Sequence, residues 1–116
     1  PEAGRNPLGG RIAGDPGVDI HMLHIVNSSH TQTSALASCL RLAQPGATLL
    51  LIEDAIYAAT TGAGMADAMK GFKVCVLQPD VEARGMAGRL IDGLSAVDYA
   101  GFVDLVVEHP NSQTWL

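Results

Sequence analysis

The chain lacks the features that mark several functional classes. It has only two cysteines in 116 residues, Cys39 and Cys75, and they form no C-x-x-C pair. The sequence therefore predicts neither a zinc site nor a disulfide framework. Seven Lys and Arg residues stand against 12 Asp and Glu, a net charge of −5, and no basic patch is visible. We accordingly expect no direct binding of nucleic acid, whose phosphates favour clustered Lys and Arg.

Long hydrophobic runs are also missing. No apolar run approaches the roughly 20 residues of a membrane span, and no signal peptide is apparent ahead of Met22. We expect a cytoplasmic protein that makes no contact with a membrane.

Apolar side chains are nevertheless abundant. Hydrophobic residues make up 47% of the chain and charged residues only 16%. A chain of this length forms one small domain, which buries only about 60–70% of the surface that its unfolded form exposes. The surplus of apolar side chains predicts burial against other subunits.

The first 21 residues differ from the rest. They are rich in Gly, Pro, Arg and Asp and show no apolar period, and their last residue forms the pair His21-Met22, which is common at cloning junctions. We predict that residues 1–21 are a disordered expression leader and that residues 22–116 form a single α/β domain. The alternative is a native disordered arm.

Apolar periodicity over residues 22–116 predicts alternating strands and helices. Strands are expected at residues 22–26, 47–52, 73–77 and around 96–98. Helices are expected after a cap at Thr33-Ser34, over 54–59 with a resumption at 65–70, over 80–84 up to Gly85, and over 99–108. Because parallel neighbours need crossovers, this order predicts a three-layer α/β/α fold with a mostly parallel sheet of about four to five strands.

Two predicted strands end in acidic segments, Glu53-Asp54 and Asp80 to Arg84, where an α/β sheet carries its surface chemistry. Glu53 and Asp54 could form a catalytic pair or bind a metal, but adjacent strand residues point to opposite faces and no His cluster accompanies them. We favour Asp54 as a helix cap. Arg84 either pairs with Asp80 at i,i+4 or lies at an interface with a neighbouring subunit.

These segments belong to an ordered set of motifs. The set comprises Met22-Leu23-His24-Ile25-Val26-Asn27, Glu53-Asp54-Ala55-Ile56-Tyr57-Ala58, Asp80-Val81-Glu82-Ala83-Arg84-Gly85, Asp98-Tyr99-Ala100-Gly101-Phe102-Val103-Asp104-Leu105 and the terminal Trp115-Leu116. It resembles the DsrH/TusB family over essentially all of residues 22–116. The resemblance implies a DsrE-like fold and the smallest subunit of a cytoplasmic heterohexamer, DsrEFH or TusBCD, which relays sulfane sulfur as a cysteine persulfide.

The resemblance also implies partners. These are DsrE/TusD-like and DsrF/TusC-like subunits and a DsrC/TusE-like sulfur acceptor, with no cofactor or metal. TusBCD serves 2-thiouridine formation in tRNA, whereas DsrEFH serves dissimilatory sulfur oxidation. DsrH-like members carry a cysteine on the first helix, as Cys39 does here, so our main prediction is sulfur oxidation. The alternatives are a TusB-like subunit for tRNA thiolation and a purely structural assembly subunit.

Cys39 is the candidate persulfide acceptor, although the main sulfur-carrying cysteine is expected on the DsrE/TusD-like partner. Sulfur transfer needs a reachable thiolate with a pKa near the ambient pH. The alternative is that Cys39 is a small core residue beside Ala35, Leu36 and Ala43. Cys75, inside an apolar strand, is expected to be inert core.

The remaining polar and aromatic residues have mainly structural interpretations. Trp115 is an interface candidate, as an anchor on its own domain or on a neighbour. We expect a hydrogen-bonded His24 in the first strand, and Tyr99 and Phe102 in the core. A further alternative is an anion-binding module that uses the loop at residues 27–31, although that loop lacks glycine.

Overall fold

The computed structural model describes residues 22–116, so the predicted leader lies outside the described residues. The described chain forms one five-stranded sheet in which every pairing is parallel, with the order β4-β3-β2-β1-β5. The strands are β1 Leu23–Val26, β2 Thr48–Leu51, β3 Lys73–Leu77, β4 Ser95–Val97 and β5 Ser112–Trp115.

Within residues 22–116, three α-helices and two 3₁₀ helices connect the strands. They are α1 Ala35–Leu42, a 3₁₀ helix Glu53–Ala59, α2 Gln78–Ala83, a second 3₁₀ helix Ala87–Arg89, and α3 Tyr99–Glu108. The predicted α/β fold with a parallel sheet is confirmed.

The helices divide between the two faces of the sheet. We call the face covered by α1, the 3₁₀ helix Glu53–Ala59 and α2 the first face, and the face covered by α3 the second face. Among the described residues, the first-face cluster has fifteen buried members and the second-face cluster has five. Because both faces are covered, β1 and β2 are buried at every position, which explains why three of the four residues in each strand are apolar.

Local sequence signals set most of the boundaries. Asp98 caps α3, since its side chain accepts a hydrogen bond from the Gly101 N–H at 2.8 Å. This helix spans the residues that its apolar spacing predicts. Gly85 adopts φ +68° after α2, the left-handed conformation expected of a glycine that ends a helix.

Some predictions are wrong. Residues 65–70 form turns and no helix. The α2 helix begins before Pro79, which occupies its first turn, because proline lacks an N–H that the first turn would leave unpaired anyway. Tyr99 is 61% exposed rather than in the core, whereas Phe102 packs against the second-face cluster.

The fifth strand is not among those that the sequence predicts. Residues 112–115 form β5, which pairs in parallel with β1 from Ser112 opposite Leu23 to Trp115 opposite Val26. A strand at the edge of a sheet keeps polar side chains in contact with water, so it carries no apolar run.

Candidate functional site

The candidate site lies at the carboxyl edge of the sheet. Since β1, β2 and β3 are parallel, their carboxyl ends meet there. Glu53 and Asp54 follow β2 at the start of a 3₁₀ helix, and Asp80 and Arg84 lie in and just after α2, which follows β3 directly. The structure thus brings together the two acidic segments that the sequence singled out.

Arg84 and Asp80 connect these segments. The Arg84 Nε donates a hydrogen bond to Asp54 Oδ1 at 3.0 Å. The Arg84 Nη1 donates to the Asp80 carbonyl oxygen at 3.4 Å and lies 3.9 Å from Asp80 Oδ1. The predicted pairing of Arg84 with Asp80 is confirmed, although Asp54 is the nearer partner. The use of Arg84 at a subunit interface stays a prediction.

Asp54 is not a helix cap. The 3₁₀ helix begins at Glu53, its N-cap position is Ile52, and no side chain caps it. The carboxylate of Asp54 instead reaches α2 through Arg84, a contact between residues 30 positions apart. Such a contact has no local sequence signal.

Glu53 holds an unusual backbone conformation at this edge. Its φ is +51°, a region that side chains other than glycine rarely adopt and that costs about 1–3 kcal/mol. The Glu53 N–H donates to Asp80 Oδ2 at 2.7 Å. Asp80 therefore stabilises a strained turn between β2 and the 3₁₀ helix, and sequence reasoning missed this role.

An open groove of about 470 Å³ lies beside this network. Its lining residues are Ser29, His30, Thr31, Gln32, Asp54 and Tyr57. The Ser29 Oγ accepts a hydrogen bond from the Thr31 N–H at 3.2 Å, so the loop uses its own hydroxyl groups to order its backbone. Because the acidic Asp54 is among these lining residues and no Lys or Arg is, the geometry offers little to an anion, which weakens the anion-binding alternative.

Cys39 lies away from this groove, in the first-face cluster. Its exposed fraction is 0%, and burial raises the pKa of its thiol to about 12. A thiol in this environment is protonated at neutral pH and out of reach of another protein. The prediction that Cys39 accepts a persulfide stays a prediction, and the geometry favours the core alternative.

Cys75 occupies the opposite face, in the second-face cluster. Burial raises the pKa of its thiol, and the charge of Lys73 lowers it to a lesser extent. The prediction of a buried core cysteine is confirmed.

Trp115 and His24 form a partly buried polar contact between β5 and β1. The Trp115 Nε1 donates a hydrogen bond to His24 Nδ1 at 3.1 Å. His24 is 1% exposed, and burial lowers its pKa. Its Nε2 has no hydrogen-bond partner among the described residues, so the prediction of a hydrogen-bonded His24 holds for one ring nitrogen only. Trp115 thus anchors β5 on its own domain, and a role on a neighbouring subunit stays a prediction.

Within residues 22–116, no three side chains of His, Cys, Asp or Glu gather where they could hold a metal ion. No helix in this part of the chain has the length and apolar character needed to cross a membrane.

Comparison with solved structures shows the same fold. The ychN protein of Escherichia coli superposes with a TM-score of 0.70 at 18% identity, over 81% of this chain and 97% of that protein. A protein of unknown function from Methanobacterium thermoautotrophicum superposes with a TM-score of 0.60 at 14% identity, over 80% of this chain and 96% of that protein.

Sequence comparison shows the family as well as the fold. Protein TusB of Escherichia coli K12 is 35% identical over 96 residues, which cover 81% of this chain and 100% of that protein. Protein TusB of Pectobacterium parmentieri is 36% identical with the same coverage. The family model described as DsrH like protein matches residues 28–112. The motifs, the fold and these relatives agree, and the chain belongs to the DsrH/TusB family.

Proposed function

We propose that the chain is a TusB-like subunit of a sulfur-relay complex that serves 2-thiouridine formation in tRNA. The observation that carries this proposal is the full-length similarity to proteins named TusB, at 35% and 36% identity. These relatives favour the tRNA thiolation alternative over our main sequence-based prediction of dissimilatory sulfur oxidation. The presence of Cys39 alone was the basis for that main prediction.

The proposal includes the partners that the family resemblance implies. They are TusC-like and TusD-like subunits in a cytoplasmic heterohexamer and a TusE-like acceptor. The exposed apolar side chains of α3 support assembly with other chains, because isolated domains rarely leave such a surface in water.

We further propose that a partner cysteine carries the sulfur. Relay requires a thiolate that attacks the outer sulfur of a persulfide. Burial of Cys39, with its thiol pKa near 12, opposes that chemistry in this chain. The role of the chain is then to hold the persulfide-bearing subunit in position.

Deletion of the gene in its native host tests the pathway. We expect wobble 2-thiouridine, measured by mass spectrometry of digested tRNA, to disappear, and the rate of sulfur oxidation to stay unchanged. Loss of sulfur oxidation with intact tRNA thiolation would instead establish our main sequence-based prediction.

Complementation of that deletion tests the chemistry. A Cys39→Ala variant should restore thiolation as the wild type does, with Cys75→Ala as the matched control on the other face. If Cys39→Ala folds but fails to restore thiolation, the chain contributes a thiol of its own. Intact mass after treatment with a persulfide donor would then show added sulfur on the wild type and none on Cys39→Ala.

A further inference from the structure

The groove at the carboxyl edge of the sheet is lined by side chains that accept hydrogen bonds. Asp54 is the only Asp, Glu, Lys or Arg among its lining residues. A carboxylate accepts hydrogen bonds and donates none, and the hydroxyl and amide groups of Ser29, Thr31, Gln32 and Tyr57 each include an oxygen that can accept. No lining side chain is restricted to donating, as Lys, Arg and Trp are. The groove therefore favours a ligand that carries several donors.

Asp54 retains one carboxylate oxygen for such a ligand. Its Oδ1 accepts the hydrogen bond from Arg84 Nε at 3.0 Å, whereas its Oδ2 has no hydrogen-bond partner among the described residues. The Asp54 side chain is 52% exposed, and Arg84 is not among the residues that line the groove. Arg84 thus fixes the carboxylate through one oxygen and leaves the other within reach of a ligand.

The loop after β1 gives the groove an ordered wall. Ser29 is only 7% exposed, and its carbonyl oxygen accepts hydrogen bonds from the Gln32 and Thr33 N–H groups at 3.1 and 3.2 Å. The hydroxyl groups of Ser29 and Thr31 share a hydrogen bond of 2.9 Å. Because these contacts order the loop before any ligand arrives, binding costs little additional conformational entropy.

His30 adds a polar atom whose hydrogen bonding is not satisfied by the described residues. Its Nδ1 is buried and has no partner among residues 22–116. A buried polar atom without a partner costs free energy. A half-turn of the ring about the Cβ–Cγ bond exchanges the positions of Nδ1 and Cδ2. A donor on a ligand that pairs with this nitrogen would remove the cost.

The geometry at Asp54 distinguishes an ammonium group from other cations. A guanidinium binds a carboxylate best through two parallel hydrogen bonds, but Arg84 already occupies Oδ1. A single remaining oxygen suits an ammonium, which is a compact charge with three donors. A metal ion is disfavoured, because no three of its usual side-chain ligands gather within residues 22–116. The groove volume of about 470 Å³ leaves room for an organic chain attached to the ammonium.

We propose that the groove binds a primary ammonium group on a short aliphatic chain, as found in a free aliphatic amine or in a lysine side chain. Asp54 Oδ2 accepts one N–H of the ammonium, and the side-chain oxygens of Thr31 and Gln32 accept the others. This inference uses only the groove's own residues and does not depend on the sulfur-relay proposal.

A titration followed by NMR of the ¹⁵N-labelled chain tests the inference. Butylammonium chloride is added at pH 7 in about 0.15 M NaCl, which screens attraction between distant charges. We expect saturable shifts of the amide signals of residues 29–32, 54 and 57. Butyltrimethylammonium has the same charge but no N–H, and 1-butanol has the same chain but no charge. Both should bind at least about tenfold more weakly.

Two variants test the site. Asp54→Asn keeps a side-chain oxygen for Arg84 but loses the charge, and should weaken butylammonium binding at least about tenfold. Gln32→Lys places a competing ammonium in the groove without removing the contact between Asp54 and Arg84, and should weaken binding as strongly.

Matched controls make the same changes of charge outside the groove. They are Asp67→Asn, at a fully exposed carboxylate, and Ala37→Lys, at an exposed position of α1. Both should bind butylammonium as the wild type does. All four variants should keep the wild-type circular dichroism spectrum, because Asp54 is half-exposed and the other three side chains are exposed.

The outcomes decide the inference without touching the proposed function. Binding that both groove variants lose and both controls retain supports the ammonium site. It is overturned if the wild type shows no saturable shift, if Asp54→Asn binds equally well, or if butyltrimethylammonium binds as tightly as butylammonium. Titration with Nα-acetyl-lysine N-methylamide distinguishes the two sources. Tighter binding than that of butylammonium supports a lysine side chain as the natural ligand, and weaker binding supports a free amine.

Discussion

The two faces of the sheet are covered unequally. Helix α1, a 3₁₀ helix and α2 close the first face, where Leu49, Leu51 and Val76 have no exposed surface. A single helix covers the second face, and the outer side of that helix remains apolar. The chain's own helices cover the first face completely. The helix that covers the second face has an exposed apolar outer side, which is suited to a partner. This contrast explains why a small, acidic chain can carry so many hydrophobic residues.

Two leucine truncations measure the contrast directly. Leu49→Ala in the first-face cluster should lower the free energy of unfolding by about 3 kcal/mol, because it leaves a closely surrounded cavity. Leu105→Ala in the second-face cluster should cost about 2 kcal/mol, since Leu105 retains 8% exposure and has fewer buried neighbours. Urea unfolding of the isolated chain provides both values. A larger cost for Leu105→Ala than for Leu49→Ala would break the comparison.

The next largest effect on stability is expected in the polar network of Asp54, Asp80 and Arg84 at the carboxyl edge of the sheet. Asp80→Ala removes the acceptor for the Glu53 N–H and one partner of Arg84, and should cost about 1–2 kcal/mol. Asp67→Ala is the control and should cost almost nothing, since its 4.0 Å pair with Lys70 is fully exposed. Thermal unfolding of the two variants would contradict this account if their midpoints were equal.

The hydrogen bond from Trp115 in β5 to His24 in β1 should contribute less to stability than the network around Asp80. Trp115→Phe keeps an aromatic ring but removes the N–H that donates to His24 Nδ1, and should cost about 1 kcal/mol. Amide hydrogen exchange should then increase at residues 112–115 before it increases in β2. Unchanged exchange at β5 would mean that Trp115 does not anchor the strand.

The smallest expected effect is a dependence on pH. Burial lowers the pKa of folded His24 below its unfolded value of 6.5, so the unfolded chain binds a proton more readily. The contribution of neutral His24 is therefore present above pH 6.5 and declines as the pH falls towards the folded pKa. His24→Asn keeps an acceptor for Trp115 and does not titrate, so its stability should fall less between pH 7 and 5. A His24→Asn slope equal to that of the wild type would contradict the assignment.

The sequence predicted the parts of the fold that have local signals. The apolar run that ends at Ile52 indicated β2, and the spacing from Tyr99 to Glu108 gave both ends of α3. It missed β5, because an edge strand of Ser112, Gln113 and Thr114 gains its structure from pairing with β1 and not from its own composition. Tyr99 was misplaced because helical spacing identifies a helix but does not decide which of two apolar sides faces the core.

At the candidate site, too, the sequence predicted only the features that have local signals. The sequence located Asp54, Asp80 and Arg84 at strand ends, which follows from the apolar runs before them. It could not show that Arg84 bridges to Asp54 or that Glu53 takes φ +51°, because both depend on how distant segments pack. The burial of Cys39 was one of two alternatives, since helical spacing alone is compatible with a core thiol and with an exchangeable one.

Hydrogen exchange on α3 tests the central claim most directly. Amide exchange is measured by mass spectrometry for the chain alone and in complex with its TusC-like and TusD-like subunits. We expect residues 99–108 to become protected in the complex, while α1, which contributes to the core of the first face, exchanges as it does in the isolated chain. A complex that forms and leaves exchange at residues 99–108 unchanged would contradict the claim that a partner completes the covering of the second face.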